Sequence, residues 1–157
     1  MPRKRKINWM VLVASFLVVY LAAFLGSVFT SSKVDTAWYD SIQPLITPPN
    51  YVFPIVWNIL FFLIALSLYF AWTNSDKRNK KKLAFVFGLN LFLNVLWSVL
   101  YFGLQNPLLA FGDLILLWFS ILAMIFVTSK IKKSSSLLLV PYLLWVSFAG
   151  VLNYLSI

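Results

Sequence analysis

Seven tryptophans and a handful of amides are the most chemically capable side chains in a chain that has no cysteine and no histidine. Without those two residue types there is no thiolate nucleophile, disulfide or sulfur-ligated metal. The usual haem ligand and neutral-pH proton shuttle are also missing, so neither a metal nor a cofactor is expected. What remains falls at regular spacing. Asn90, Asn94, Trp97, Ser98 and Tyr101 recur three and four apart, Trp57 is followed by Asn58 and Phe61, and Pro141, Trp145, Ala149 and Asn153 follow at four-residue steps. Such steps place side chains on one stripe of a helix. Aromatic walls with a few polar groups suit a flat apolar ligand. The same amides and hydroxyls serve equally well to bond a neighbouring helix, at about 0.6 kcal/mol each. Asp113, the sole acid in or beside an apolar stretch after the first loop, either caps a helix N-terminus, worth ~0.3–1 kcal/mol, or contacts a ligand.

These residues sit in or beside five apolar stretches, roughly Ile7–Thr30, Tyr51–Thr73, Leu83–Leu104, Leu108–Ser129 and Leu137–Ile157. At ~1.5 Å per residue, about 20 helical residues cross ~30 Å of hydrocarbon. None of the stretches contains Lys or Arg. Backbone groups in lipid must bond within their own segment, and the ten-residue alternation of barrel strands is absent. The expected fold is therefore an all-α membrane protein, one five-transmembrane-helix bundle over residues 1–157. Its 62% hydrophobic content and mean hydropathy of +0.89 leave no room for a soluble domain. The basic start followed by an apolar stretch has the look of a signal peptide. The stretch is too long and lacks a small-residue cleavage site, so a retained anchor is expected.

Charge alternates between the gaps. Arg3, Lys4, Arg5 and Lys6 precede the first stretch, and the first loop holds Lys33 against Asp35 and Asp40. Lys77, Arg78, Lys80, Lys81 and Lys82 then face Asp76, Asp113 follows, and Lys130, Lys132 and Lys133 come before the last stretch. Basic short loops stay cytoplasmic, so the N-terminus is expected inside and the C-terminus outside. Basic clusters beside spans meet anionic lipid headgroups, which accounts for the net charge of +9 without nucleic acid. Short connections after helices 2, 3 and 4 predict consecutive helices as antiparallel neighbours. The connection at about 31–50 is longer and holds Trp38, Tyr39, Pro44, Pro48 and Pro49. A loop of that length is read either as a lid over a pocket or as a segment anchored at the interface by its aromatics. Trp9 and Trp72, near helix ends on the basic side, are candidates for the interfacial belt.

The run Trp38-Tyr39, Pro44, Pro48-Pro49, Val52-Phe53-Pro54-Ile55-Val56-Trp57 and Leu60-Phe61 resembles the signature of the translocator protein family, also called tryptophan-rich sensory proteins or peripheral benzodiazepine receptors. Leu93-Asn94, Trp97-Ser98, Tyr101-Phe102-Gly103, Pro107, Ala110 and Asp113 resemble that family's third helix and the turn after it. Pro141 to Trp145, Phe148-Ala149 and Leu152-Asn153 resemble its fifth. The match runs in order over about residues 15 to 157. It implies a five-helix bundle that binds porphyrins, and in some members sterols or isoquinoline and benzodiazepine-type ligands, in a pocket opening toward the loop after helix 1. The ligand-binding residues it implies are Trp38, Tyr39, Tyr51, Phe53, Trp57, Asn94, Trp97, Asp113, Trp145, Phe148 and Ala149. The family is also associated with light- and oxygen-dependent protoporphyrin breakdown, for which Trp57 and Trp145 would be the catalytic residues.

The function expected is that of a membrane receptor or sensor for protoporphyrin-type tetrapyrroles and related apolar ligands. The alternatives are a porphyrin-degrading enzyme and a tetrapyrrole or sterol transporter. A transporter would more comfortably show inverted repeats, broken helices or buried charge pairs, and none is visible in the sequence. Expected partners are such a small ligand, membrane lipid and a second copy of the chain, in a bacterial cell membrane or, in a eukaryote, the mitochondrial outer membrane. The chain departs from the family pattern in several places. Gln43 stands where Lys commonly precedes the loop proline, Ile46 replaces an aromatic, and Phe85 and Leu89 occupy positions where dimer-forming relatives have small residues. No cation follows Tyr154 to complete a sterol motif.

Overall fold

The computed structural model describes residues 6–157, so the basic residues Arg3, Lys4 and Arg5 lie outside the described part. Its helices are α1 (Trp9–Ser31), α2 (Ala37–Ile42), α3 (Val52–Thr73), α4 (Lys77–Ser98), α5 (Pro107–Ser129), α6 (Lys133–Leu137) and α7 (Val140–Leu155). A π-helical turn, Val99–Gly103, continues α4. No strand occurs among the described residues. Five spans of 22 to 27 residues are long and apolar enough to cross a membrane: α1, α3, α4 with its π turn, α5, and α6 with α7. The all-α bundle read from the sequence is present.

Local chemistry sets the helix ends. Asn8, Thr36, Asp76 and Asn106 each accept a hydrogen bond from a backbone N–H in the first turn of the helix they precede, relieving its orphan donors. The cap of α5 is Asn106, followed by Pro107 at the position where a missing N–H costs nothing. Asp113 lies well inside that helix, so the capping role considered above does not apply. The third span begins at Lys77 rather than Leu83, because Asp76 caps a run of Lys and Arg that are good helix formers. Lys80 of this run holds its Nζ 5.9 Å from the Trp72 ring, and in the connection after α5 Lys132 Nζ sits 4.8 Å from the Phe70 ring. The fifth span is interrupted at Leu138 and Leu139, which the sequence reading does not foresee. Pro141 lacks the N–H that a continuous helix would use there, so α7 starts afresh with Pro in its first turn.

Around the bundle, α1 packs between α3 and α4, α4 against α5, and α5 against α6 and α7. The expectation of consecutive neighbours holds for the third, fourth and fifth spans. It fails for the second and third, which meet only briefly because α1 lies between them. The small Gly26 permits that approach, since a Cβ there would stand 3.2 Å from Ser98 Oγ. Closing the ring, α3 meets α6 closely but parts from α7. On the α6 side, Ile64, Ala65, Ala71, Leu83 and Leu139 are fully buried, and Ser67 Oγ donates to the Ser135 carbonyl at 2.9 Å. Mid-bundle, the Tyr142 hydroxyl donates to Asn90 Oδ1 and accepts from Asn94 Nδ2, each at 3.2 Å, while Asn90 Nδ2 donates to Ser120 Oγ at 2.8 Å. That network satisfies polar groups from α4, α5 and α7 away from lipid.

Candidate functional site

Where α3 and α7 part, the bundle encloses a cavity of about 450 Å³. The C-terminal half of α1, the N-terminal half of α3, the end of α4, two leucines of α5 and most of α7 wall it, and the loop containing α2 covers it. Trp57 and Phe61 of α3 stack at 5.3 Å, and Trp97 and Tyr101 of α4 and its π turn stack at 4.9 Å. Phe53 meets Trp145 of α7 edge-on at 5.8 Å. Three indoles from three helices thus line one space.

Most polar atoms of the wall are already engaged. Trp97 Nε1 donates to Asn153 Oδ1 at 3.0 Å, Asn153 Nδ2 donates to the Pro107 carbonyl at 2.8 Å, and the Tyr101 hydroxyl donates to Ser156 Oγ at 3.0 Å. Asn153 therefore ties α4, α5 and α7 together at the cavity wall. Trp145 Nε1 and Thr47 Oγ1 line the cavity region without a hydrogen-bond partner. The described residues hold no cluster of His, Cys, Asp or Glu able to bind a metal ion. This is a site for stacking and shape, with a few directional groups at its edge.

The loop is held down by its own short helix. Thr36 caps α2, which turns Tyr39 against Phe102 at 5.7 Å and Trp38 against Tyr101 at 5.9 Å. Burial on the underside of the lid pushes the Tyr39 phenol up to about 12, with Tyr101 and Asp40 adding to the shift. Asn50 Nδ2 donates to Asp35 Oδ1 at 3.1 Å, joining the two ends of the loop across the mouth.

Of the residues singled out by resemblance, Tyr39, Phe53, Trp57, Asn94, Trp97, Trp145 and Ala149 line the cavity. Trp38, Tyr51, Asp113 and Phe148 do not. Trp38 plugs the seam above Tyr101 and Phe102, because neighbours on a helix point about 100° apart and Tyr39 takes the inward direction. Tyr51 is 68% exposed at the start of α3. Phe148 packs on the back of Trp145. Asp113 is buried on α5 with both carboxyl oxygens unpartnered, while its neighbours Leu114 and Leu117 face the cavity. Phe61, Ser98, Tyr101, Leu114, Leu117, Asn153, Asp35 and Asn50 also line it. Of these, Phe61, Ser98, Tyr101 and Asn153 were visible in the three- and four-residue spacing. The Asp35–Asn50 pair had no sequence signal, its partners being 15 positions apart.

Fold and cavity together define a multi-pass integral membrane protein with a covered, aromatic-walled cavity inside its bundle. The chain belongs to the TspO/MBR family of membrane sensor and receptor proteins, whose model matches residues 14–156. It is 44% identical over 148 residues to the tryptophan-rich protein TspO of Archaeoglobus fulgidus, covering 94% of this chain and 95% of that protein. The namesake from Chlorobaculum tepidum is 39% identical over 132 residues, 83% of this chain and 84% of its own. The translocator protein of Bos taurus is 30% identical over 149 residues, 93% and 88% of the two chains.

Proposed function

We propose that this protein is a membrane receptor or sensor that binds a porphyrin-type tetrapyrrole, or another flat apolar molecule of similar size, in the lidded cavity. The observation that carries the reading is the convergence of Trp57, Trp97 and Trp145 from three helices on one space of about 450 Å³, within the ~300–1,000 Å³ of ordinary ligand pockets. Stacking on indole faces supplies affinity without charge. The test is titration of the detergent-solubilised protein with protoporphyrin, following tryptophan fluorescence. Saturable quenching with a Kd of ~1 μM, about −8 kcal/mol, is expected, and Trp97→Ala should weaken it. Unsaturable quenching, the same in wild type and variant, would sink the reading.

A second reading, light- and oxygen-dependent porphyrin breakdown, is favoured by one observation: Trp57 and Trp145 flank the same space, and Trp145 Nε1 is without a partner. An indole beside a photoexcited macrocycle can donate an electron that oxygen takes from the reduced ring as superoxide. The indole radical cation then oxidises the macrocycle, which returns the Trp, and superoxide adds to the ring cation, so that the net change is one O2 added to the porphyrin. Replacing both with Phe keeps aromatic walls, so affinity should change by about 1 kcal/mol or less while light-driven product formation collapses. Undiminished product from the double variant would leave a binding protein alone.

A further inference from the structure

The cavity's polar edge has a sign. Asp35 lines the mouth and is the one lining side chain that carries a full charge; no Lys or Arg lines the cavity among the described residues. Lys33, the single base of the loop, does not line it. Asp40 is turned away and accepts from Gln43 Nε2 at 3.1 Å. Asp35 is held in place by one oxygen, Oδ1, through the bond from Asn50, and its Oδ2 takes no hydrogen bond among the described residues. Thr47, whose hydroxyl also lacks a partner, lines the same mouth. An anchored acceptor with a free oxygen, at the rim of an otherwise apolar aromatic chamber, is matched by a donor group. A ligand carboxylate there would meet a like charge and no cation.

We propose that Asp35 is a specificity-determining residue that selects ligands presenting an uncharged or cationic hydrogen-bond donor at the mouth, such as an ammonium or amide, against ligands presenting a carboxylate. The proposal rests on the cavity being the binding site described above. It deepens that reading by assigning the ligand edge: a flat apolar body goes inward and a donor, or nothing charged, sits at Asp35. A dicarboxylic porphyrin then binds with its acidic edge swung away from Asp35, and more weakly than its own diester. Opposite-charge attraction and like-charge repulsion near a wet surface each suffice for about tenfold in affinity.

Two matched probe sets separate this inference from the tetrapyrrole reading. The first is pyrenemethylamine and pyrenecarboxylic acid, titrated in nonionic detergent by energy transfer from tryptophan. The second is protoporphyrin and its dimethyl ester. In wild type the amine should bind about tenfold tighter than the acid, and the diester several-fold tighter than the diacid. Asp35→Asn keeps the size and the bond to Asn50, so the fold is retained, and both preferences should collapse to near unity. Asp35→Lys should reverse them. Salt should narrow the preferences in wild type and leave Asp35→Asn unmoved. Preferences that persist in Asp35→Asn, or an acid bound as tightly as its amine in wild type, overturn the inference. If neither porphyrin binds while the pyrene pair is discriminated through Asp35, the tetrapyrrole reading falls and the edge selectivity stands.

Discussion

The two ends of the bundle use the same five spans and differ in how nearly the second approaches the fifth. At the α6 end, aliphatic and small side chains such as Ile64, Ala65, Ala71 and Leu139 interlock with no exposed area, and a serine hydroxyl reaches a carbonyl across the gap. At the lid end, rings of Trp, Phe and Tyr face one another from α3, α4 and α7, and they line the space where α3 and α7 part. Side-chain size thus separates the sealed end from the hollow one. Small groups let backbones close, whereas large flat rings meet at 5 to 6 Å and leave room between them for another flat molecule.

The comparison is sharpened most by knowing which end faces which compartment. The sealed end carries Lys77 to Lys82 and Lys130 to Lys133, so a reporter active only in the cytoplasm should work when fused near Lys80 and fail at Ile157. An active C-terminal fusion would invert the assignment. Next in size are substitutions that treat the two ends differently. Leu83→Ala opens a hole in a fully buried part of the sealed end and should cost about 2–5 kcal/mol of unfolding free energy in detergent. Ala149→Leu adds atoms to the hollow end, so it should leave stability within about 1 kcal/mol and cut ligand affinity at least tenfold. Equal destabilisation by both would mean that the cavity is not real space.

The smallest effect concerns the lid. Burial raises the Tyr39 phenol above its ordinary value, so the docked lid prefers the neutral phenol. That preference is fully present below pH ~10, where the free phenol is also neutral, and is lost as pH climbs toward about 12. Trp38 fluorescence should report lid loosening within that window, and Tyr39→Phe should abolish the transition.

The fold was legible because 20-residue apolar runs and alternating charge are properties of the chain itself. Helix adjacency was not, because it depends on which faces match: α1 slides between α3 and α4 through a glycine whose partner, Ser98, lies 72 positions on. The break in the fifth span does have a local cause in the sequence, the missing N–H of Pro141. Within the site, helical spacing found the stripes, and resemblance found seven lining residues. It missed by single residues where direction decides. Trp38 and Tyr39, or Asp113 and Leu114, are neighbours in sequence that face different surroundings. The mouth was illegible altogether, since Asp35 and Asn50 come together only when the loop folds back.

The π turn after α4 has a consequence for how this chain tolerates changes in length. Leu104 N–H reaches back five residues to the Val99 carbonyl at 2.8 Å, so the turn holds one residue more than an α-helix would, and it brings both Tyr101 and Phe102 beneath the lid. Loss of one residue from Val99–Gly103 converts the turn to an ordinary one while the helix before it and the cap after it keep their places. A Val99 deletion should therefore insert and melt nearly as the parent does, yet release bound ligand faster, because the lid would rest on one ring instead of two. A one-residue gap at this point is thus expected to shorten residence time while sparing the fold.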